Sequence, residues 1–205
     1  MDVMMRRRAL MGMQSLLPGA YQKMEWIAAQ SGVGQYIDSG VIVPYPNTLT
    51  VQGRFKFTDN KGWQSAFGGK GPEFCLQQNA SNASLLAQLN GKSNYNIANF
   101  TFGEDIEFEM SRASVTVNGV EKSITDGTIH YNEPIWLFGK MALNTTKIDI
   151  AGSAVIYQFK IYDDRTLVRN FVPCIRKLDN KPGMYDTVSK TFYTNAGKGE
   201  FIVPN

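Results

Sequence analysis

Residues 154–201, AVIYQFKIYDDRTLVRNFVPCIRKLDNKPGMYDTVSKTFYTNAGKGEF, decide the fold. Val155, Tyr157, Phe159 and Ile161 alternate with Ile156, Gln158, Lys160 and Tyr162, and a period of two with one wholly apolar face predicts a central β-strand. Asp163-Asp164 supplies a turn, and TLVRNFVPCI returns at hairpin distance. Pro173 cannot donate to a ladder, so this second run is expected at a sheet edge or a strand exit. GMYD at 183–186 and KTFYTNAGKGEF at 190–201 then close the chain as a clasp carrying Tyr185, Phe192, Tyr193 and Phe201.

The same pattern extends outward. In TLTVQGRFKFTD, residues 48–59, Leu49, Val51, Phe55 and Phe57 share one face around Gly53, with a polar face opposite, which marks a half-buried strand. MEWIAA (24–29), QYIDSGVIV (35–43), QSAFGGKG (64–71), PEFCLQQ (72–78), SLLAQL (84–89) and YNIANF (95–100) are short runs separated by Gly, Asn and Ser. DIEFEM (105–110) and ASVTVNGVEKS (113–123) form a hairpin pattern. Asn118-Gly119 between valines is its turn, because a type I′ turn needs positive φ at both central residues. Strands recurring about every ten residues, with no long helical pattern after residue 20, predict a sandwich or barrel.

The order YQFKIYD (157–163), LVRNFVPC (167–174), GMYD (183–186) and FYTNAGKGEF (192–201), together with YIDSGV (36–41), resembles concanavalin A-like (laminin-G-like) domains. Such domains occur in tail and other virion proteins of bacteriophages and in prophage regions of gut bacteria. The resemblance covers roughly residues 20–205, and VNG at 117–119, WLFGK at 136–140 and KIDIA at 147–151 are similar to landmarks of the laminin-G-like hairpins. It implies an all-β concanavalin A-like jelly roll of two antiparallel sheets. The motifs are framework residues, and a framework does not define an activity. The implied role is a non-enzymatic virion or tail surface module that adheres to a glycan of the bacterial host, made in the host cytoplasm and carried on the virion. A purely structural or decorating virion protein is the first alternative.

The 205 residues suit one sandwich domain over 21–205 preceded by an arm over 1–20. Hydrophobic residues at 43%, charged residues at 19% and 19 glycines describe a folded, turn-rich globule. A net charge of +3 without a clustered basic face speaks against nucleic acid. The arm, MDVMMRRRALMGMQSLLPGA, has three arginines and a helical apolar pattern interrupted by Gln14 and Pro18. It is too short for a membrane span, which takes about 20 apolar residues, and is expected either to dock on other virion proteins or form a homo-oligomer as an amphipathic helix, or to fray. Cys75 and Cys174 each sit in an apolar run, so two buried thiols are expected in preference to a disulfide. The N-x-[ST] triplets at Asn79, Asn82, Asn99 and Asn144 are chance matches in a protein made in bacteria.

Chemistry-bearing arrangements are few. Asp105, Glu107 and Glu109 alternate with Ile106, Phe108 and Met110, which places three carboxylates on one strand face, neighbours about 7 Å apart. Paired acids at such range serve glycosidases, and the strand also resembles the paired-acid strand of laminarinase-type enzymes. It departs from them: Asp105 stands where they place their first glutamate and Glu107 where they place aspartate. A jelly-roll glycosidase is therefore the second alternative, and a hydrated outer strand the plainer reading. His130, the sole histidine, builds neither a zinc site nor a triad and is expected in a surface loop. GGKGP at 68–72 is a turn without the helix of a phosphate cradle. No cofactor is expected; Asp59, Asn60, Asp126 and Asn132 offer oxygens for calcium, but no spacing sets a site. For sugar binding, which needs an aromatic platform beside amides, the candidates are Trp63, Asn79, Asn82, Asn94 and Tyr95. Trp26 and Trp136 lie in apolar runs and are assigned to the core, the alternative also open to Trp63.

Overall fold

A computed structural model describes residues 17–30, 32–60, 62–79, 83–145 and 147–204. Within them the chain forms antiparallel strands and turns and no helix, so no helix there is long and apolar enough to cross a membrane. Most of the expected arm, residues 1–16, and the candidate Asn82 lie outside the described residues.

The larger sheet contains β1 (Tyr21–Lys23), β2 (Ile27–Ala28), β4 (Leu49–Phe57), β9 (Ile106–Met110), β10 (Ser114–Val117), β11 (Val120–Ser123), β15 (Ala154–Asp163), β16 (Thr166–Arg176), β17 (Lys181–Asp186) and β18 (Thr191–Thr194). Its order is β11-β10-β9-β4-β15-β16-β17-β18, with β2 beside the start of β15 and β1 beside the end of β16. The smaller sheet runs β3 (Ile37–Ile42), β12 (Pro134–Leu137), β5 (Gln64–Gly68), β6 (Phe74–Gln78), β7 (Leu85–Leu89) and β8 (Lys92–Asn94). A separate hairpin pairs β13 (Gly139–Met141) with β14 (Ile148–Ala151).

The two sheets share one apolar core. Phe67 of β5 reaches across to Phe108 of β9 and Phe159 of β15, with ring centroids 5.5 and 5.4 Å away. Leu49, Val51, Phe55 and Phe57 of β4 are buried as their alternation predicts, while Thr50, Gln52, Arg54 and Lys56 reach the outer face. Gly53 breaks the row for a reason of space: a Cβ there would stand 2.7 Å from the Gln158 carbonyl oxygen and 2.9 Å from the Phe108 ring. Asn118 and Gly119 carry φ of +49° and +85°, and Val117 pairs with Val120, so the expected type I′ hairpin forms.

Three expectations are corrected. The inner face of β15 is Ala154, Ile156, Phe159 and Ile161, not Val155, Tyr157, Phe159 and Ile161. Register passes from Ile156↔Phe55 to Gln158↔Arg54, so Tyr157 is the extra residue of a bulge and its ring faces outward under the Arg54 guanidinium, 4.3 Å from the centroid. Next, β16 is an inner strand. Pro173 falls where its neighbour changes from β15, whose pairing ends at Phe171, to β1, whose pairing begins at Cys174, so no ladder bond is missed. Last, Trp26 is half-buried, because it precedes β2 instead of lying in it. Trp136 is buried, but on the outer face of the smaller sheet, stacked on Tyr36 at 4.0 Å.

Cys75 and Cys174 are free and buried, as expected of thiols in apolar runs. Burial pushes both thiols up, Cys174 to about 12, so neither is a nucleophile at neutral pH.

Candidate functional site

The β5–β6 pair has two ends, and each gathers loops. At the first end, Gln64 and Gln78 are register partners. The Gln64 amide donates to Gln78 Oε1 (2.9 Å) and to the Asp59 carbonyl (2.6 Å), and Gln78 donates to Asn60 Oδ1 (2.7 Å). These amides are engaged in holding the β4–β5 loop. The loop in turn presents the Trp63 ring, 43% exposed, so Trp63 lies outside the core. Asn79 leaves β6 at the same end, its N–H donating to the Ser84 carbonyl at 2.9 Å.

Asn94 and Tyr95 lie elsewhere. Asn94 lies on β8, where it pairs with Ala87 of β7, three strands from β5, which is about 14 Å at the usual interstrand spacing. Its amide is a splint: Nδ2 donates to the Thr125 carbonyl (3.0 Å) and Oδ1 accepts the Thr125 N–H (2.7 Å). Tyr95 beside it is 56% exposed. The structure thus brings Trp63 and Asn79 to one rim and puts Asn94 on the edge strand β8 and Tyr95 just beyond its end.

The second end carries residues that sequence reasoning passed over. Glu73, in the turn before β6, has no exposed surface, and its Oε1 accepts the N–H groups of Tyr131 (2.8 Å) and Asn132 (3.2 Å). The same oxygen lies 2.9 Å from His130 Nδ1. Burial pushes the Glu73 carboxyl above its usual range. His130 is therefore not a plain surface residue but a half-buried one tied to a buried acid. Tyr45, 55% exposed, packs against it with ring centroids 5.4 Å apart. Lys70 and Glu133 form an ion pair at 3.1 Å in the same loops. The one sequence signal was Glu73 itself, a carboxylate abutting the apolar start of PEFCLQQ.

The three acids share an outward face, with Glu107 and Glu109 exposed between buried Ile106, Phe108 and Met110. Glu109 accepts from the Gln52 amide at 2.7 Å, and Asp105 is ion-paired with Arg54. Partial burial works to raise the Asp105 carboxyl, but hydrogen bonds from Tyr157 and Arg54 outweigh it and hold the group below its usual range. A shallow depression of about 220 Å³ lies beside it, lined by Asn99, Thr101, Glu104, Asp105 and Asn118 among others. For calcium, Asp59 and Asn60 sit at the Trp63 rim, whereas Asp126 sits far off with Asn90 (2.8 Å) and Arg112. Among the described residues no three His, Cys, Asp or Glu side chains converge.

No protein-family model and no curated protein sequence matches the chain. Among solved structures, a Bacteroides ovatus protein provisionally described as carbohydrate-binding superposes with a TM-score of 0.59 at 10% identity, over 90% of this chain and 60% of that one. At such identity the likeness shows the fold alone, and this chain spans about three-fifths of the neighbour's length. The protein is an all-β sandwich of antiparallel sheets, consistent with a jelly-roll-like fold.

Proposed function

We propose that this protein is a non-enzymatic carbohydrate-binding module of a bacteriophage virion or tail, adhering to a glycan on the host surface. The observation that carries the reading is Trp63, a large ring held in water at the rim by a loop that the bonded amides of Gln64, Gln78 and Asn60 fix in place. A sugar stacks its C–H face on such a ring. The sandwich neighbour described as carbohydrate-binding supports the ligand class, and the sequence resemblance supports the phage setting. Single rim contacts are weak, so attachment comes from many copies displayed together, with residues 1–20 as the proposed contact to other virion proteins or to further copies.

Of the three acids, Asp105 is engaged by Arg54 and is unsuited to act as a proton donor. A glycosidase needs one acid whose pKa is raised to donate a proton, and Asp105 is shifted the other way. No cofactor enters this scheme. Glycan-array binding of the wild type and Trp63→Ala tests it: retention of a surface polysaccharide by the first and at least a tenfold loss in the second is expected. Absence of binding to every bacterial polysaccharide would leave the decorating role. Hydrolysis that disappears in Glu109→Gln would replace adhesion with catalysis.

A further inference from the structure

Among the described residues, five buried side-chain polar atoms lack a hydrogen-bond partner, and four of them belong to one end of the molecule: Asn47 Nδ2, Glu73 Oε2, Asn90 Oδ1 and His130 Nδ1. Asn47, Glu73 and Asn90 are at most 3% exposed. His130 Nδ1 has only its ion-pair contact with Glu73 Oε1. Leaving a buried polar atom unpaired is costly, and strain of this kind concentrates where loops are shaped for a ligand. The Trp63 rim has the opposite character, since the amides of Gln64, Gln78 and Asn60 there are bonded in a chain.

What these loops present is specific. Tyr45 is open to water, and the His130 ring lies against it, tilted by 32°. With Nδ1 turned to Glu73, Nε2 is the imidazole nitrogen left for a ligand. Asn132 is exposed and sits in the left-handed region at φ +57°, its N–H fixed by the buried carboxylate. Lys70 and Glu133 cancel each other as an ion pair in these loops. An aromatic face beside an imidazole nitrogen and a primary amide suits a ring with an apolar face and hydroxyl edges.

We infer that the rim formed by Tyr45, His130 and Asn132 is a second carbohydrate site, which takes a neutral hexopyranose. Each copy then touches its glycan at both ends of the β5–β6 pair. Glu73 is the positioning residue that holds the 130–132 segment. The inference takes its ligand class from the carbohydrate reading above but not its location, which is a separate rim.

Saturation-transfer NMR on the full chain with methyl glycosides of glucose, galactose and mannose, and with methyl glucuronide as a charged control, tests it. Tyr45→Ala and Asn132→Ala should reduce transfer to at least one neutral glycoside tenfold or more, while Trp63→Ala leaves that component in place. Glu73→Gln, checked for an intact near-UV spectrum, should weaken it several-fold by freeing the 130–132 segment. Transfer unchanged in Tyr45→Ala and Asn132→Ala but abolished in Trp63→Ala would overturn this site and leave the first rim standing. Preference for the glucuronide would overturn the neutral class, and no transfer from wild type to any glycoside would remove both rims.

Discussion

The outer faces of the two sheets are built from similar alternating strands and meet opposite surroundings. On the larger sheet the outward residues of β4 and β9 are Gln52, Arg54, Lys56, Glu107 and Glu109, and they stay in or near water as ion pairs, amide contacts and a guanidinium over Tyr157. On the smaller sheet the outward residues Ser65, Cys75 and Gln77 are at most 2% exposed. The strand after β12 turns back at Phe138, and the β13–β14 hairpin lies across β5, bringing Lys140 over Gly68. Lys140 as a whole is 6% exposed; its ammonium donates to Gln88 Oε1 at 3.0 Å, and the Cys75 thiol donates to the same oxygen at 3.2 Å. A polar outer face is thus free on one sheet and sealed on the other, and residues of the same type carry different energetic weight on each.

Breaking the seal should have the largest effect. A Cβ at Gly68 would stand 2.7 Å from the Cβ atoms of both Cys75 and Lys140, so Gly68→Val is expected to lose about 3 kcal/mol, the upper end for overpacking, in urea unfolding. A loss under about 1 kcal/mol would mean that the hairpin is not seated on β5. The next largest effect has the opposite sign. Lys140 buries a charge with a neutral acceptor and no carboxylate ion pair among the described residues. Since Gln88 Oε1 keeps its Cys75 contact, Lys140→Met should gain about 1–2 kcal/mol, as replacing buried charge by matched apolar volume often does. A fall in Tm would refute that account. The smallest effects belong to the open face: Arg54→Met and Glu109→Gln should each stay within about 0.5–1 kcal/mol of wild type, and a larger change would show that this face is not simply hydrated.

Much of the fold was legible because it rests on local chemistry. The β4 alternation places Leu49, Val51, Phe55 and Phe57 inside on the strength of period two alone, and Asn118-Gly119 names its own turn. The Tyr157 bulge was not legible, since an extra residue leaves the pattern of apolar and polar side chains looking intact while moving half of it to the other face. Of the candidate sugar contacts, Trp63 was readable as an aromatic in a polar loop. The engagement of Asn94 with Thr125 and the Glu73–His130 contact were not, because each joins residues from separate loops.

The chain by itself determined that it would form short antiparallel strands around an aromatic core, and where several of the turns fall. Periodicity and turn preference act between near neighbours, and a sequence displays them directly. Only the tertiary structure decided which polar face would be covered, which acid would be buried under a histidine and which rim would be left with unpaired polar atoms. Those outcomes depend on distances across the sandwich, between groups far apart along the chain.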